Sequence, residues 1–298
     1  MHYLVTGATG GFGGYALEFL KKMVPQNEIY VLVRSEEKGE ALKEAGFNIR
    51  IGDYDDLDSM KEALKGIDRL LFVSGVPGNR QAEHKNVVKA AQAAGVSYIA
   101  YTSFADADHS ISVLAPDHQF TEKMIKDSGI SHTFLRNNWY VENELPIIGQ
   151  ALKTGQFVYA AGNGKTGWAL KREYAEAAAK VLVESDSPEI LELSGNLTDY
   201  EELAKALERA TGKELEIIEA SDAAFVENLK EAGFPQEAAD MFLAIQHDIK
   251  KDQLAISSDD LEKVLGKPLT SLEAALKEIL GKPLTSLEAA LKEILDQE

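Results

Sequence analysis

Short apolar runs alternate with longer amphipathic stretches through residues 1–136 of this chain. The apolar runs, predicted as strands, are Tyr3–Val5, Ile29–Val33, Asn48–Ile51, Leu70–Val73, Tyr98–Thr102 and Thr133–Arg136. The amphipathic stretches, predicted as helices, include Tyr15–Met23, Leu57–Leu64, Glu83–Ala94 and Gln119–Ser128. Several runs are apolar almost throughout, which is typical of strands covered on both faces. The alternation predicts the α/β class, with a doubly wound parallel sheet.

The glycine-rich segment after the first run bears most directly on function. Residues 6–13 read TGATGGFG, a G-x-x-G-x-x-G spacing at a strand–helix junction, with a helix predicted from about residue 11. Gly7 permits a tight turn, Gly10 lets the backbone approach a pyrophosphate, and Gly13 lets the helix pack closely on the strand. Amides at the helix N-terminus would hold the phosphates. This context predicts a Rossmann-type dinucleotide site, and a tight turn without a ligand is the alternative. The predicted site comprises Gly7, Ala8, Thr9, Gly10, Gly11, Phe12 and Gly13.

The end of the second predicted strand indicates which dinucleotide binds. An NAD site places an Asp or Glu about 20 residues past the glycines, whereas an NADP site has a basic residue there. This chain has Arg34, whose guanidinium suits a 2′-phosphate. Glu36 and Glu37 follow in the first turn of the next predicted helix, where acids favour the helix dipole. We therefore predict NADPH as the cofactor, with NADH as the second choice. The alternative is that Arg34 is a solvated charge at the strand end.

The pattern loosens after residue 136. The predicted elements there are a strand at Phe157–Ala161, a helix at Glu173–Glu184, a strand at Ile190–Leu193, a helix at Tyr200–Thr211 and a strand at Glu214–Ile218. They predict a smaller mixed α/β part that covers the substrate and shares the cleft. The chain is accordingly divided into a dinucleotide-binding domain at 1–136, this smaller part at 137–265, and a C-terminal helical segment at 266–298.

The C-terminal segment is a tandem repeat. Residues 266–280 read GKPLTSLEAALKEIL, and residues 281–295 repeat them without change. In each copy a T-x-x-E sequence, such as Thr270 with Glu273, predicts a capping box. An apolar stripe follows at Leu272, Leu276, Ile279 and Leu280. One interpretation is a duplication without a role in chemistry. The other is that the second stripe packs on another subunit and influences a homodimer, or competes with the first copy.

Composition and charge narrow the class of partner. The chain has 31 Lys and Arg against 49 Asp and Glu, which gives a formal charge of −18. Such an acidic chain is unsuited to nucleic-acid phosphates and would be repelled by an anionic membrane. It has no cysteine, which excludes disulfides and cysteine-ligated metals and fits a reducing compartment. Because neither a signal-like leader nor a membrane-length apolar run is present, we predict a cytoplasmic protein.

The histidines give no metal-binding pattern. None of the six is followed by another histidine four residues later, and no acidic cluster completes a site. We predict no metal, and we expect His84 and His118 at the cleft edge or on a helix surface.

The tyrosines exclude one route of catalysis. Short-chain dehydrogenases of the tyrosine-dependent type use Tyr-x-x-x-Lys, in which the lysine lowers the pKa of the tyrosine for proton transfer. None of the ten tyrosines has a lysine four residues on, and Gln119 stands four residues before Lys123. Alcohol oxidation by a tyrosinate is therefore disfavoured, as is a sugar epimerase or ketoreductase. A direct hydride transfer, with the proton supplied by water or a weaker donor, stays open.

Six groups of residues together share the pattern of one known family. They are residues 6–13 (TGATGGFG), Arg34, residues 52–54 (GDY), residues 98–103 (YIAYTS), His118 with Glu122 and Lys123, and residues 135–140 (LRNNWY). With these, the chain resembles the NmrA-like atypical short-chain dehydrogenases, and within them the bacterial NAD(P)H:quinone oxidoreductases of type 2, with the triphenylmethane reductases nearby. The resemblance runs from residue 3 to about residue 280, and the motifs are specific only in combination.

The resemblance implies where the cofactor lies. NADPH would lie along residues 7–13 and Arg34, with further contacts from Val73, Ser74, Gly75, Thr102 and Ser103 at the carboxyl ends of two strands. The loop beside the nicotinamide would comprise Asn137, Asn138, Trp139, Tyr140, Val141 and Glu142. Asp53, in the loop after the third predicted strand, would meet the adenine, and Asp56 would cap the next helix.

The same resemblance implies how an acceptor is held. Asn137 can bond a carboxamide or a quinone oxygen, and Trp139 and Tyr140 offer flat faces to a planar molecule. Packing between the two parts of the chain explains these two rings equally well. Lys123 would hold the nicotinamide ribose, or it is a solvated helix charge. The candidate catalytic residues are therefore Asn137, Tyr140 and Lys123.

Two functions follow from this pattern. The first is an NADPH-dependent reductase that passes a hydride to a quinone or a similar planar acceptor, with the cofactor carrying the chemistry. The second is a non-catalytic NmrA-like regulator that senses redox state by binding the dinucleotide and a partner protein. Both are compatible with the missing Tyr-x-x-x-Lys pair, and turnover of NADPH separates them.

Overall fold

The computed structural model describes residues 1–184 and 186–281 of the chain. Its strands are β1 (Tyr3–Val5), β2 (Ile29–Val33), β3 (Asn48–Ile51), β4 (Arg69–Phe72), β5 (Tyr98–Phe104), β6 (Ser131–Asn137), β7 (Trp139–Tyr140), β8 (Gln156–Tyr159), β9 (Trp168–Ala169), β10 (Ile190–Leu193) and β11 (Glu216–Glu219). Its α-helices are α1 (Gly11–Leu20), α2 (Glu36–Glu44), α3 (Leu57–Ala63), α4 (Arg80–Ala94), α5 (Ala115–Ser128), α6 (Leu145–Thr154), α7 (Lys171–Val183), α8 (Tyr200–Thr211), α9 (Asp222–Glu231), α10 (Gln236–Lys250), α11 (Asp260–Leu265) and α12 (Leu272–Leu280).

The central sheet has seven parallel strands in the order β3-β2-β1-β4-β5-β6-β10. β1 lies inside the sheet between β2 and β4, and the chain continues from these two neighbours in opposite directions across the sheet. Ligands bind at such a switch point, outside the carboxyl ends of the strands. The predicted doubly wound α/β fold is confirmed, and the bounds of β1, β2 and β3 match the predicted strands.

The chain after residue 136 contributes to the central sheet as well as to the smaller part. β10, predicted within residues 137–265, pairs with β6 as the seventh strand. The helix before it, α7, packs along α1, and its apolar face is buried. This placement is physically reasonable because a parallel edge strand needs a helix crossover to cover its face. The division of the chain at residue 136 stays a prediction.

The smaller part forms a second apolar core beside the carboxyl end of the sheet. Two short parallel pairs, β8 with β11 and β7 with β9, are surrounded by α6, α8, α9, α10 and α12. The pairing of β7 with β9 sets Trp139 opposite Trp168. This contact brings the segment after β6 against a strand that lies about 30 residues further along the chain.

The first copy of the C-terminal repeat forms α12, which packs on α8. Leu276 and Ile279 are buried, as the apolar stripe predicts. The predicted capping box is wrong, however, because Ser271 is the N-cap and its hydroxyl accepts from the Ala274 amide. Thr270 instead donates its hydroxyl to Glu173 at 2.7 Å, so it ties the segment to α7. The second copy lies outside the described residues, and its packing on another subunit stays a prediction.

Candidate dinucleotide and acceptor site

The glycine loop leaves room for a diphosphate at the start of α1. Gly7 has a φ of +60°, which side chains rarely adopt, and its carbonyl accepts from the Gly10 amide at 3.0 Å. A Cβ on Gly13 would lie 2.2 Å from the Gly7 carbonyl oxygen, so only glycine allows this approach. Gly10 is the N-cap of α1, and the first turn that follows carries no charged side chain. Main-chain amides and the helix dipole therefore face the position where phosphates would bind, and the residues fit this group.

Side-chain hydroxyls at the ends of β1 and β5 accept hydrogen bonds from the chain just after β4, and so fix its position beside the glycine loop. The Thr6 hydroxyl oxygen accepts from the Val73 amide at 2.9 Å, and the Thr102 hydroxyl oxygen accepts from the Ser74 amide at 2.8 Å. The Val73 side chain lies against Gly7, where an added Cβ would be 3.2 Å away. The structure thus brings Val73, Ser74 and Thr102 together beside the glycine loop.

His84 on α4 binds the main chain of the segment that follows β4. The Gly75 amide donates to its Nε2 at 3.0 Å, and its Nδ1 lies 2.8 Å from the Thr121 hydroxyl. Because that hydroxyl donates to the Asp117 carbonyl, Nδ1 carries the proton and the imidazole is neutral. Burial and the charge of Arg80 lower the pKa of His84 to about 3.

Arg80, one turn earlier on α4, holds the other backbone group of Gly75. Its Nε donates to the Gly75 carbonyl at 2.8 Å, and its Nη1 lies 3.2 Å from Nε2 of His118. Burial, and secondly Arg80, lower the pKa of His118 well below its usual value. Of the two places expected for His84 and His118, the helix surface is therefore wrong, because both are buried in a polar layer between α4 and α5; the cleft edge stays a prediction.

Asn137 and Tyr140 lie where the glycine loop meets the end of β6. The Asn137 Nδ2 donates to the Tyr140 hydroxyl at 2.9 Å, while Asn137 Oδ1 is buried and has no hydrogen-bond partner among the described residues. The Tyr140 ring lies 6.0 Å from Phe12 and 5.1 Å from Tyr174, centroid to centroid. A buried amide oxygen without a donor is free to accept a hydrogen bond from a ligand N–H or O–H.

An ion pair braces the strand ends under Asn137. Nε and Nη2 of Arg136 donate to the two carboxylate oxygens of Glu122, at 2.9 and 2.7 Å, and the Ser103 hydroxyl donates to the same carboxylate at 2.6 Å. Arg136 also reaches Glu192 and Asp108. Ser103, predicted at the cofactor, thus has its hydroxyl engaged in this brace.

The loop after β6 leads to a second buried carboxylate, Glu144. Its Oε1 accepts from Nε1 of Trp139 at 3.0 Å, from Nε1 of Trp168 at 3.1 Å and from the Tyr200 hydroxyl at 2.9 Å. Burial, offset by these donors, raises its pKa to about 7. Trp139, predicted as a face for the acceptor, is half-buried and is fixed by this carboxylate.

Two predicted cofactor contacts lie just after the carboxyl ends of β2 and β3. Arg34 is exposed at the end of β2, directly before the Ser35 N-cap of α2. Asp53 lies in the turn after β3, where Oδ1 accepts from the Asp55 amide at 3.2 Å. Asp56 caps α3, as predicted. Arg34 therefore lies at the strand end where NADP-binding sites of this fold place the residue that binds the 2′-phosphate.

Three of the predicted loop contacts have side chains that hold the loop in place. The Asn138 Nδ2 donates to Ser194 and to the Leu254 carbonyl, at 3.2 and 2.9 Å. Val141 is buried in the second core, and a Glu142 oxygen accepts from a main-chain amide at the start of α7. Their side chains thus bind neighbouring elements of the protein.

The structure does not bring Lys123 to the other candidate catalytic residues. Its ammonium pairs with Asp127 at 2.7 Å, and its side chain is 74% exposed. The neighbouring Glu122 points inward to Arg136. Lys123 therefore lies on the solvent side of α5.

Sequence reasoning did not assign the supporting roles of several side chains. The residues concerned are Arg80, His84, Glu122, Arg136, Glu144, Trp168 and Tyr200, of which the sequence analysis names His84, Glu122 and Arg136 in other connections. A signal existed for Arg80 and His84, because residues four apart on a helix share a face. Another existed for Glu122, which lies with His118, Thr121 and Ile125 on the buried face of α5. Glu144 had none, because its partners are scattered over 60 residues.

Within residues 1–184 and 186–281, no helix has both the length and the apolar character that a bilayer crossing requires. The same residues contain no cluster of three or more His, Asp or Glu side chains that could hold a metal ion.

Comparison with known proteins places this site in a family. Residues 2–278 match the NmrA-like family. Quinone oxidoreductase 2 of Escherichia coli K12 is 41% identical over 271 residues, which cover 90% of this chain and 95% of that protein. A crystal structure of the NADPH-dependent quinone oxidoreductase from Escherichia coli, complexed with NADPH, has a TM-score of 0.89 at 40% identity, over 93% of this chain and 99% of that one. Triphenylmethane reductase of Citrobacter sp., complexed with NADP(H), has a TM-score of 0.88 at 36% identity, over 93% and 99%. The predicted resemblance is confirmed, and the chain belongs to the NmrA-like family.

Proposed function

We propose that this protein is an NADPH-dependent oxidoreductase that transfers a hydride to a quinone or a similar planar acceptor. The observation that carries the proposal is the meeting of the glycine loop with Asn137 and Tyr140, through the contact of Phe12 with Tyr140. A diphosphate cradle and a buried amide oxygen thus share one edge of the sheet. The Escherichia coli and Citrobacter relatives are named for quinones and triphenylmethanes, which supports a planar acceptor.

The protein's part is to hold two flat rings face to face and to keep water from between them. When bound, the nicotinamide supplies a hydride, so a quinone needs one further proton to become a hydroquinone. Asn137 would use Oδ1 to accept from the carboxamide, and Arg34 would bind the 2′-phosphate. The Tyr140 hydroxyl accepts from Asn137, which leaves its own proton for an acceptor oxygen.

Tyr140 acts here as a hydrogen-bond donor rather than as an acid. Burial raises its pKa above the ordinary value, so it keeps its proton at neutral pH. The proton consumed in the reaction therefore comes from water. Lys123 is left out of the proposed machinery because its ammonium is held on the exposed side of α5.

Oxidation of NADPH, followed by its absorbance with and without a panel of benzoquinones and naphthoquinones, tests the proposal. Steady oxidation that requires the quinone supports the enzyme. Tight binding of NADPH and NADP⁺ with no turnover across the panel would favour the second candidate, a redox-sensing regulator. The buried Asn137 Oδ1 favours a ligand in either case, and turnover alone separates the two.

Reversing the charge of Arg34 tests the choice of dinucleotide. We expect Arg34→Glu to weaken NADPH by at least tenfold and NADH by less than threefold, because only NADPH carries the 2′-phosphate. Lys43→Glu, another exposed charge reversal at the far end of α2, serves as the matched control and should change neither. Calorimetry gives both affinities. Equal losses for NADPH and NADH would mean that Arg34 does not contact the 2′-phosphate.

A further inference from the structure

Glu144 is a buried acid without a cation. Only 3% of the residue is exposed, and no Lys, Arg or His within the described ranges forms an ion pair with it. One of its two carboxylate oxygens, Oε1, accepts hydrogen bonds from three neutral donors, which belong to Trp139, Trp168 and Tyr200. These are unusual partners, because buried carboxylates in proteins are normally paired with a charge. We call these four residues the Glu144 cluster.

The cluster contains both tryptophans of the chain and draws together three elements. Trp139 belongs to β7, Trp168 to β9, and Tyr200 is the first residue of α8. Tyr200 and Trp168 meet edge to face at 5.1 Å, and Tyr200 stacks on Tyr159 at 5.6 Å. A single carboxylate oxygen therefore sets the orientation of both indoles.

Near neutral pH, the ionised and protonated forms of Glu144 are close in free energy. Burial disfavours the charge, and the three donors favour it, so the pKa is raised to about 7. The other titratable groups that face the cluster are the phenols of Tyr200 and Tyr159, which stay neutral because burial raises the pKa of each. Glu142, two residues before Glu144, is directed instead to the amide of Lys171. Proton gain near neutral pH is thus a property of Glu144 itself.

Trp139 joins the cluster to the chain segment that carries Asn137 and Tyr140. It stands between Asn138 and Tyr140, two residues after Asn137, and its ring is half-buried. The indole nitrogen donates inward to Glu144, so the carboxylate determines which way the ring faces. No other residue of the described part of the chain forms a hydrogen bond with this indole N–H.

We propose that Glu144 is a positioning residue whose ionised form fixes the Trp139 ring for binding of the planar acceptor, so that acceptor affinity is linked to loss of one proton from the cluster. This inference rests on the proposed function, because it assumes an acceptor beside Trp139. A carboxylate accepts hydrogen bonds about twice as strongly as a neutral group. Protonation weakens all three bonds at once, which frees the indole to turn.

Tryptophan fluorescence of the protein without ligands tests the first half of the proposal. Because both tryptophans donate to Glu144, emission should change in one step with a midpoint near pH 7. We expect Glu144→Gln to abolish this step and Tyr200→Phe to move it to higher pH, since one stabilising donor is lost. Glu201→Gln, an exposed acid beside Tyr200, should leave the step unchanged. Emission that is flat in the wild type, or an unchanged step in Glu144→Gln, would overturn the linkage.

Kinetics with a 1,4-naphthoquinone test the second half. In the wild type we expect KM for the quinone to rise at least threefold from pH 8 to pH 6, while kcat and the Kd for NADPH stay within twofold. In Glu144→Gln the KM should be raised at pH 8 and nearly independent of pH. Tyr200→Phe, which keeps the ring and the carboxylate, should retain the KM step at a higher pH, so the result does not depend on one variant folding.

The outcomes distinguish this inference from the proposed function. A wild type that oxidises NADPH with the quinone but has the same KM profile as Glu144→Gln contradicts the positioning role alone. A wild type with the fluorescence step but no quinone turnover contradicts the proposed function, and with it the assumed link to the acceptor. An effect confined to kcat would also overturn the positioning role.

Discussion

Two glutamates in this molecule are equally buried and behave differently. Glu122 and Glu144 are each 3% exposed, and both stand at the carboxyl edge of the sheet. Glu122 takes two hydrogen bonds from Arg136 and one from Ser103. Glu144 takes three from uncharged groups. Each carboxylate therefore accepts three hydrogen bonds, and the charge of the donors distinguishes the two.

The difference determines what each carboxylate can do. A bidentate arginine binds Glu122 through two charge-assisted hydrogen bonds, so Glu122 is a fixed brace for the ends of β5 and β6. Neutral donors only partly offset the loss of water, so Glu144 exchanges a proton near neutral pH. At equal burial, the partners thus make Glu122 a fixed support and Glu144 a group whose charge responds to pH.

Removing the cation gives the largest expected effect. In Arg136→Met, Glu122 would be a buried charge without its partner, and Glu192 and Asp108 would lose theirs. We expect the free energy of unfolding to fall by about 3–5 kcal/mol at pH 7. Denaturant unfolding followed by far-UV circular dichroism measures the change.

The double variant Arg136→Met with Glu122→Gln separates the unpaired charge from lost packing. It should recover more than half of the loss, because an amide at position 122 can still accept from the Ser103 hydroxyl. A double variant no more stable than the single one would contradict this explanation. Arg136 would then act mainly through its contacts with Glu192 and Asp108.

Replacing the acid that lacks a cation gives a smaller effect with a specific pH dependence. The pKa of Glu144 is raised from its ordinary 4.5 to about 7, so the folded state binds this proton more tightly than the unfolded state. Its contribution to stability is complete below pH 4.5 and is lost as the pH rises to about 7. Relative to Glu144→Gln, the wild type should therefore lose about 3 kcal/mol of unfolding free energy across this range.

Urea unfolding of both proteins at pH 5, 6, 7 and 8 checks this dependence. Glu201→Gln removes an exposed carboxylate from the same region and should follow the wild type at every pH. A constant difference between wild type and Glu144→Gln from pH 5 to 8 would contradict a raised pKa in the folded state.

The same contrast explains what the sequence could predict. Backbone requirements leave local patterns: the positive φ at Gly7 and the close approach at Gly13 demand glycine, and the spacing of these residues is visible in the chain. The strands could equally be predicted from the sequence, because short apolar runs are bounded by polar residues and glycine. The dinucleotide site therefore rests largely on local sequence.

The polar supports under the site leave weaker patterns. Arg136 and Glu122 are 14 residues apart, and no rule of spacing pairs them before the fold brings β6 against α5. Glu144 depends on donors from positions 139, 168 and 200, which meet only because β7 pairs with β9 and α8 packs beside them. Tertiary packing, rather than local preference, created these sites.

Replacing Lys123 gives the smallest expected effect. It also extends the comparison to two adjacent residues of α5, the buried Glu122 and the exposed Lys123. Helical periodicity puts His118, Thr121, Glu122 and Ile125 on the buried face of α5, and Lys123 one step off it. An exposed pair such as Lys123 with Asp127 contributes about 0.5 kcal/mol or less. We expect Lys123→Ala to lower the free energy of unfolding by no more than that and to keep kcat/KM for NADPH and quinone within twofold. A tenfold loss of kcat/KM in steady-state assays, with stability unchanged, would return Lys123 to the cofactor site, because an exposed lysine reaches a bound ribose only if its side chain leaves Asp127.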